Sequence, residues 1–329
     1  MKFLAGLIRS VTGLAAIGLA ALTVAALFGF AVPVFDLINH LQLPLFFATL
    51  VVLIVAIFAF GRLRAITLIA LIGFLASAAV FVPEWMTGLS PRAPLPTDAR
   101  PVLKMMTHNV FGLNYDMHRV DDAIAAENPD IVALQEYFPE QVDELHALLK
   151  TRYPYFVRCQ GGKRANLGLY SRIAFDREMN AGDCPSDAYG SQRTAHITAG
   201  FTLADGTHFT VVTTHMDWPY PIERQNEEFS ALTAELAQTD GPLIVVGDFN
   251  STPWSYALRG FAGETGLVRE TRNLVTYPVL FTLRRLVPTL PFLPLDQVFQ
   301  RGIAVHELHA GEPTGSDHLP VVFSFSVGQ

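Results

Sequence analysis

The chain has 329 residues; half are apolar and only 16% are charged, against about 25% in an ordinary soluble protein. The deficit is local: residues 1–83 hold four cations (Lys2, Arg9, Arg62, Arg64) and one anion (Asp36), a net of +3, which leaves −10 for the remainder of a total of −7. This excludes a disordered chain and, with two cysteines, a small disulfide scaffold, and it argues against a strongly basic nucleic-acid-binding protein.

Three uncharged stretches open the chain: 26 residues between Arg9 and Asp36, 25 between Asp36 and Arg62, and 19 between Arg64 and Glu84. Crossing a bilayer core takes roughly 20 apolar residues in a helix, so a bundle of three transmembrane helices is expected. Two helices with an interfacial segment, or a cleaved signal, are the alternatives. A signal core is shorter than the first stretch, and two more apolar stretches follow it. Lys2 and Arg9 precede the first span and Arg62 and Arg64 sit between the second and third, whereas Asp36–Gln42 has no Lys or Arg. By the positive-inside rule the N-terminus is cytoplasmic, and everything after about residue 84 faces outward. The expected location is a multi-pass protein of the bacterial inner membrane, facing the periplasm or exterior. Residues 85–101, with Pro91, Pro94, Pro96 and Pro101, read as a stiff linker. The expected organisation is a membrane anchor over 1–84, a linker over 85–101 and a catalytic domain over 102–329. Cys159 and Cys184 suit an exported domain; sequence leaves open whether they pair.

Beyond the linker, strands and helices alternate. Strands are expected at Val102–Val110, Ile131–Leu134, Tyr155–Arg158, Leu167–Ser171, Thr194–Leu203, His208–Thr214, Leu243–Val246, Leu295–Phe299, Ile303–Leu308 and Leu319–Phe325. Helices are expected at Arg119–Glu127, stopped by Asn128-Pro129, at Glu140–Lys150 and at Ile222–Gln238. The pattern suggests two sheets packed face to face.

Several apolar strands end in carboxylate, amide or imidazole groups: His108-Asn109, Gln135-Glu136, His215-Met216-Asp217, Gly247-Asp248-Phe249-Asn250, Leu295-Asp296 and Gly315-Ser316-Asp317-His318. Loops at strand ends are where rigid scaffolds carry sites. Carboxylates and amide oxygens suit a hard divalent cation, and imidazoles move protons. Attack of water on a phosphate ester needs this mixture.

Taken in order, these motifs resemble the endonuclease/exonuclease/phosphatase superfamily over roughly residues 102–327, with Gly247-Asp248-Phe249-Asn250 and Ser316-Asp317-His318 the most specific. The leading helices are similar to a bacterial subgroup with a membrane anchor. The resemblance implies an α/β fold, a four-layer sandwich with two central mixed sheets, and Mg²⁺ or Mn²⁺ as cofactor. It implies metal ligands at Asn109 and Glu136, with Asp317 joining them or holding a second ion. Asp248 would orient or deprotonate the water, and Asn250 would bind a phosphoryl oxygen. His318 would contact the phosphate or aid the nucleophile, oriented by Asp296, and His215 would stabilise or protonate the leaving side.

Other residues stay open. Arg193 is a candidate substrate contact or a surface ion pair. His108 should point away from Asn109 within a strand. Tyr170, Asn166, Asp217 and Trp218 are cleft or packing residues. The apolar, Pro-rich stretch 277–294 with Arg284 and Arg285 is an ordinary loop or a membrane-facing surface. The expected partners are the bilayer, through the N-terminal helices, and a phosphoester substrate: a lipid headgroup, another small ester or a nucleic acid. No protein partner is evident. A nuclease is the alternative enzyme, for which Arg152, Arg158, Lys163, Arg164 and Arg172 could supply a basic patch. An inactive membrane-anchored scaffold is the alternative of another class.

Overall fold

A computed structural model describes residues 2–61, 64–160, 166–180, 184, 195–282 and 286–328. They form two compact units, Met1–Ser90 with Thr252–Arg259, and Pro91–Ser251 with Gly260–Gln329.

The first unit contains α1 (Lys2–Leu27), α2 (Pro33–Asn39), α3 (Gln42–Phe60) and α4 (Ala65–Thr87). Three of these, α1, α3 and α4, are long and apolar enough to cross a membrane. Small residues Ala16, Ala56 and Ala70 are buried where these helices pack, which lets helix backbones approach closely. Leu14, Phe58 and Leu75 stand exposed on the same helices, as lipid-facing side chains do. These helices fit a membrane anchor.

The uncharged stretch before Asp36 is broken into two helices. Pro33 opens α2 at the first helical position, where a missing N–H costs nothing. This short helix carries Asp36 and Asn39, both buried. Ser77 Oγ donates to Gln42 Oε1 at 2.9 Å, Gln42 Nε2 to Asn39 Oδ1 at 2.9 Å, and Asn39 Nδ2 to Asp36 Oδ1 at 2.8 Å. Asp36 in turn accepts the backbone N–H groups of Tyr256 (2.8 Å) and Ala257 (3.1 Å). Polar groups among apolar helices are costly unless bonded, and this chain bonds each of them.

The second unit runs β1 (Leu103–Asn109), α5 (Met117–Glu127), β2 (Ile131–Gln135), α6 (Pro139–Leu149), β3 (Tyr155–Cys159), β4 (Leu167–Ser171), β5 (His196–Thr202), β6 (His208–His215), α7 (Ile222–Leu236) and β7 (Leu243–Asp248). After α8 (Tyr256–Thr265), which begins in the first unit, come β8 (Val268–Arg269), β9 (Leu280–Thr282), β10 (Leu286–Pro288), β11 (Asp296–Arg301), β12 (Ile303–Ala310) and β13 (Val321–Val327). Local chemistry sets the boundaries. Asp116 accepts from the N–H of Arg119 to cap α5, and Asn128 ends that helix in the left-handed region just before Pro129.

One sheet has the order β12-β13-β1-β2-β4-β3, the other β5-β6-β7-β11-β8. Both are mixed: β1–β2 and β6–β7 are parallel, their other pairings antiparallel. Strand alternation separates the layers. Met105, Ile131, Ala133 and Leu169 from the first sheet meet Ile197, Val211, Ile244 and Val246 from the second in one inter-sheet core. Their neighbours Met106, Val132 and Leu134 face the other way and bury Val120 and Ile124 of α5 and Leu145 of α6. On the second sheet, the rings of Phe229 (α7) and Phe261 (α8) lie 5.4 Å apart, and Phe261 lies 5.4 Å from Phe299 (β11). The result is a helix–sheet–sheet–helix sandwich of four layers. Cys159 and Cys184 are disulfide-bonded.

The stretch 277–294 is not a plain loop: β9 and β10 within it pair antiparallel. Arg284 and Arg285 lie outside the described residues. Helix α8 has no counterpart in the sequence reading, because Gly260 and Gly263 interrupt its pattern.

Candidate active site

Register builds the site. Where β6, β7 and β11 run side by side, His215 pairs with Asp248 and Asp248 with Asp296, so the three lie in one row across the second sheet. Residues in register on neighbouring strands share a face. Nε2 of His215 lies 3.6 Å from Asp248 Oδ2 and 3.8 Å from Glu136 Oε1. His318 reaches the row from the loop before β13. Its Nδ1 meets Asp296 Oδ2 at 2.8 Å and its Nε2 lies 3.7 Å from Asp248 Oδ2.

The first sheet supplies Asn109, from the end of β1, and Glu136, one residue past β2. The Asn109 amide nitrogen donates to Asp248 Oδ2 at 3.0 Å and to Glu136 Oε1 at 3.3 Å, and its Oδ1 accepts the N–H of Phe111 at 3.0 Å. The second carboxylate oxygen of Glu136 accepts from Gly112 N at 2.9 Å. Gln135 ties the two sheets behind the site, donating to Thr107 Oγ1 (3.1 Å) and Thr213 Oγ1 (3.0 Å). The His318 loop is held in turn: Ser316 Oγ donates to Asn109 O at 2.7 Å and accepts from His318 N at 3.0 Å.

Two site residues adopt conformations that side chains resist. Glu136 has φ +53° and Asn250 φ +47°, where left-handed backbone costs about 1–2 kcal/mol; such strain gathers at functional sites. The N–H of Asn250 returns to Asp248 Oδ1 at 2.8 Å, and its amide Nδ2 donates to Met216 O at 2.9 Å. One of the two amide hydrogens expected to serve a phosphoryl oxygen is therefore held by the protein. Among the described residues, the buried Oδ1 atoms of Asn250 and Asp296 have no hydrogen-bond partner.

The electrostatics follow from burial and crowding. Burial lifts the Asp248 carboxyl to about 7, His318 opposing and Asp296 adding. For His318, burial works against the charged ring, but Asp296, Asp248 and Asp317 overcome it and raise the imidazole to about 10. Burial lifts Asp317 to about 6, with His318 opposing and Glu136 adding. The shared proton therefore belongs to His318, between two carboxylates.

Asp248, Asp296 and His318 lie close enough together to share one ion, their ligand atoms all within 4.8 Å of one another. Yet Nδ1 of His318 is already committed to Asp296, so this trio is better suited to carrying a proton. The oxygen-rich side, where Glu136 and Asp248 converge on the Asn109 amide with Asp317 nearby in charge, fits a hard divalent cation.

Arg193 lies outside the described residues. His108 turns away from the site, buried, with Nε2 on Thr314 Oγ1 at 2.8 Å. Tyr170 is core, its hydroxyl 3.1 Å from that of Tyr137, and Asp217 is ion-paired with Arg224 at 2.9 Å. Sequence reasoning missed Tyr277, whose ring centroid lies 4.7 Å from that of His318 and 6.0 Å from that of Trp218. Burial, with Asp317, Asp248 and Glu136 adding, pushes its hydroxyl up to about 12. Nothing in the apolar run around it signalled this position.

A fold of two mixed sheets with metal-suited and proton-carrying residues at their strand ends is that of a phosphoester hydrolase family. Residues 106–318 match the model of the endonuclease/exonuclease/phosphatase family, and the chain belongs to that family. It is 32% identical over 130 residues to a UPF0294 protein of Vibrio cholerae, a match covering 39% of this chain and 44% of that protein. The chain thus aligns with less than half the length of that relative. The fold is similar to that of Danio rerio TDP2 complexed with single-strand DNA product (TM-score 0.55, 18% identity, covering 70% of this chain and 100% of that one). It is also similar to sphingomyelinase C from Streptomyces griseocarneus (TM-score 0.50, 19% identity, covering 68% and 99%).

Proposed function

We propose that the second unit hydrolyses a phosphodiester or phosphomonoester with water and a divalent cation, Mg²⁺ or Mn²⁺, and that the helical unit anchors it in a bacterial inner membrane with the site facing outward. The carrying observation is the register row His215–Asp248–Asp296, closed by His318 at 2.8 Å from Asp296. Asn109, Glu136 and Asp317 would hold the cation, which when bound supplies charge neutralisation at the phosphoryl oxygens. Asp248, with its carboxyl lifted near neutrality, takes the proton of the attacking water. The protonated His318, held in orientation by Asp296, donates to a phosphoryl oxygen. The remaining amide hydrogen of Asn250 donates to the same group. As the new O–P bond forms and the ester P–O bond breaks, His215 serves the departing oxygen.

A lipid headgroup or other small ester is favoured over duplex nucleic acid. The chain beyond residue 83 carries −10, and neutralising phosphates takes free cations. In the basic patch, Arg152 is paired with Asp121 and Arg172 stands 4.0 Å from Asp130; Lys163 and Arg164 lie outside the described residues. The outward orientation is supported by the cations flanking the first spans and by the Cys159–Cys184 bond, which persists in oxidising compartments.

The test uses the full chain in detergent with Mg²⁺, Mn²⁺ or EDTA against a chromogenic phosphodiester, phospholipids, plasmid DNA and RNA, with Asp248→Asn as control. Metal-dependent turnover of a small ester or lipid, lost in the variant, is expected. Turnover of nucleic acid alone would overturn the substrate reading. Absence of divalent-metal binding would overturn the catalytic one.

A further inference from the structure

The hydroxyl of Tyr277 has no part in the reaction set out above, although its ring stands over one of the reacting groups. Tyr277 lies in an apolar, proline-rich stretch and is half-buried. Backbone hydrogen bonds hold it from two sides, all of them within the two-sheet unit. Tyr277 N donates to Leu293 O at 3.0 Å, and the Tyr277 carbonyl accepts from Phe292 N (2.9 Å) and Leu293 N (2.7 Å). On the other side its segment runs beside the loop that carries His318: Leu319 N donates to Thr276 O and Val279 N to Asp317 O, both at 2.9 Å. Tyr277 is thereby tied to the residues on either side of His318.

The ring follows from this placement. Its centroid lies 4.7 Å from that of His318 and 6.0 Å from that of Trp218, contacts of the kind aromatic rings favour. Packing of that sort asks only for a ring, which phenylalanine would supply, so the hydroxyl needs its own explanation. The carboxylates that act on it are Asp317, Asp248 and Glu136. They come from the loop before β13, the end of β7 and the residue beyond β2, and these three elements meet at the site. Among the described residues no group takes the hydroxyl's hydrogen. A phenol keeps its proton at neutral pH, and here burial and the surrounding negative charge hold it more firmly. The hydroxyl is therefore a hydrogen-bond donor at the site. A transferring phosphoryl group spreads its charge over three oxygens, and the donors assigned so far, His318 and the remaining amide hydrogen of Asn250, both stand beside Asp248.

We infer that Tyr277 is a further catalytic residue for the proposed reaction: its hydroxyl donates a hydrogen bond to a phosphoryl oxygen of the bound ester. The phenol keeps its proton throughout, and the O–P bond that forms and the P–O bond that breaks are those already described. Charge grows on the phosphoryl oxygens as water attacks, so a donor fixed in advance strengthens its bond in the transition state. The kinetic arm of this inference rests on the hydrolytic reading above; anion binding at the site tests it independently.

The experiment uses the full chain in detergent and compares wild type with Tyr277→Phe, which keeps the ring and removes the donor. It reads the melting midpoint, Mn²⁺ affinity, hydrolysis of a chromogenic phosphodiester, and calorimetric binding of inorganic phosphate with Mn²⁺ present. Midpoint and Mn²⁺ affinity should stay at their wild-type values. In the variant kcat should fall about a hundredfold, and phosphate should bind about tenfold more weakly. Wild-type kcat and phosphate affinity in Tyr277→Phe would overturn the inference and leave the ring as packing on His318. A kcat that falls only in step with Mn²⁺ affinity would overturn it too, because the hydroxyl would then be acting on the cation. If wild type hydrolyses no phosphoester, the hydrolytic reading fails by itself: phosphate binding weakened in Tyr277→Phe would still support the donor, and binding unchanged in the variant or absent from wild type would overturn it.

Discussion

Gly247 is the residue on which the site leans most heavily. It precedes Asp248 in β7, with φ +140°, and an added Cβ would lie 1.9 Å from the carbonyl oxygen of Thr214. That oxygen is backbone in β6, where Thr214 pairs with Gly247 itself, so it cannot withdraw without opening the ladder between the two strands. Gly247→Ala therefore combines backbone strain of about 1–3 kcal/mol with overpacking of about 1–3 kcal/mol. The expected loss is about 2–6 kcal/mol, out of a total that for natural proteins is about 5–15 kcal/mol. Asp248 must move with its neighbour, and a displacement of about 1 Å at such a group costs about a hundredfold in rate. Gly206 provides the control: φ is +84° but nothing lies within 4 Å of its added Cβ, so Gly206→Ala should cost only the strain. Thermal unfolding of both variants, followed by turnover of the phosphodiester, tests the argument. Equal midpoints for the two variants, or wild-type turnover in Gly247→Ala, would refute it.

Two further outcomes are expected. Asp296→Asn removes the largest influence raising His318, so the imidazole should titrate lower by NMR, and turnover should fall with folding intact; an unmoved titration would remove Asp296 from its orienting role. His108, whose imidazole burial lowers from 6.5 to about 3, is neutral in the folded state, whereas the unfolded chain binds a proton below pH 6.5. Its contribution is therefore present above pH 6.5 and is lost as pH falls from 6.5 toward 3, with a slope of up to about 1.4 kcal/mol per pH unit. Urea titrations of the full chain between pH 7 and 4 should show this loss, and His108→Gln should flatten it; parallel pH profiles would count against it.

Much was legible in the sequence because it is written in local periodicity. The three apolar stretches are each long enough to cross a bilayer core, and α1, α3 and α4 largely coincide with them. Strands such as Leu103–Asn109 and Leu243–Asp248 announce themselves as short, largely apolar runs, buried almost throughout because both faces of each sheet are covered. The motif residues could be picked out because polar groups at the ends of apolar strands are conspicuous. What sequence could not supply is register. That His215, Asp248 and Asp296 form one row depends on which strands become neighbours, and pairing between strands distant in the chain is decided by how the two sheets share their core. The same holds for Tyr277, brought over His318 from an apolar stretch without pattern. It holds also for Asp36: the composition shows a lone anion between two apolar spans, but only the fold reveals that it caps a helix more than two hundred residues away. Local chemistry determines which elements form; long-range packing decides which of their ends meet.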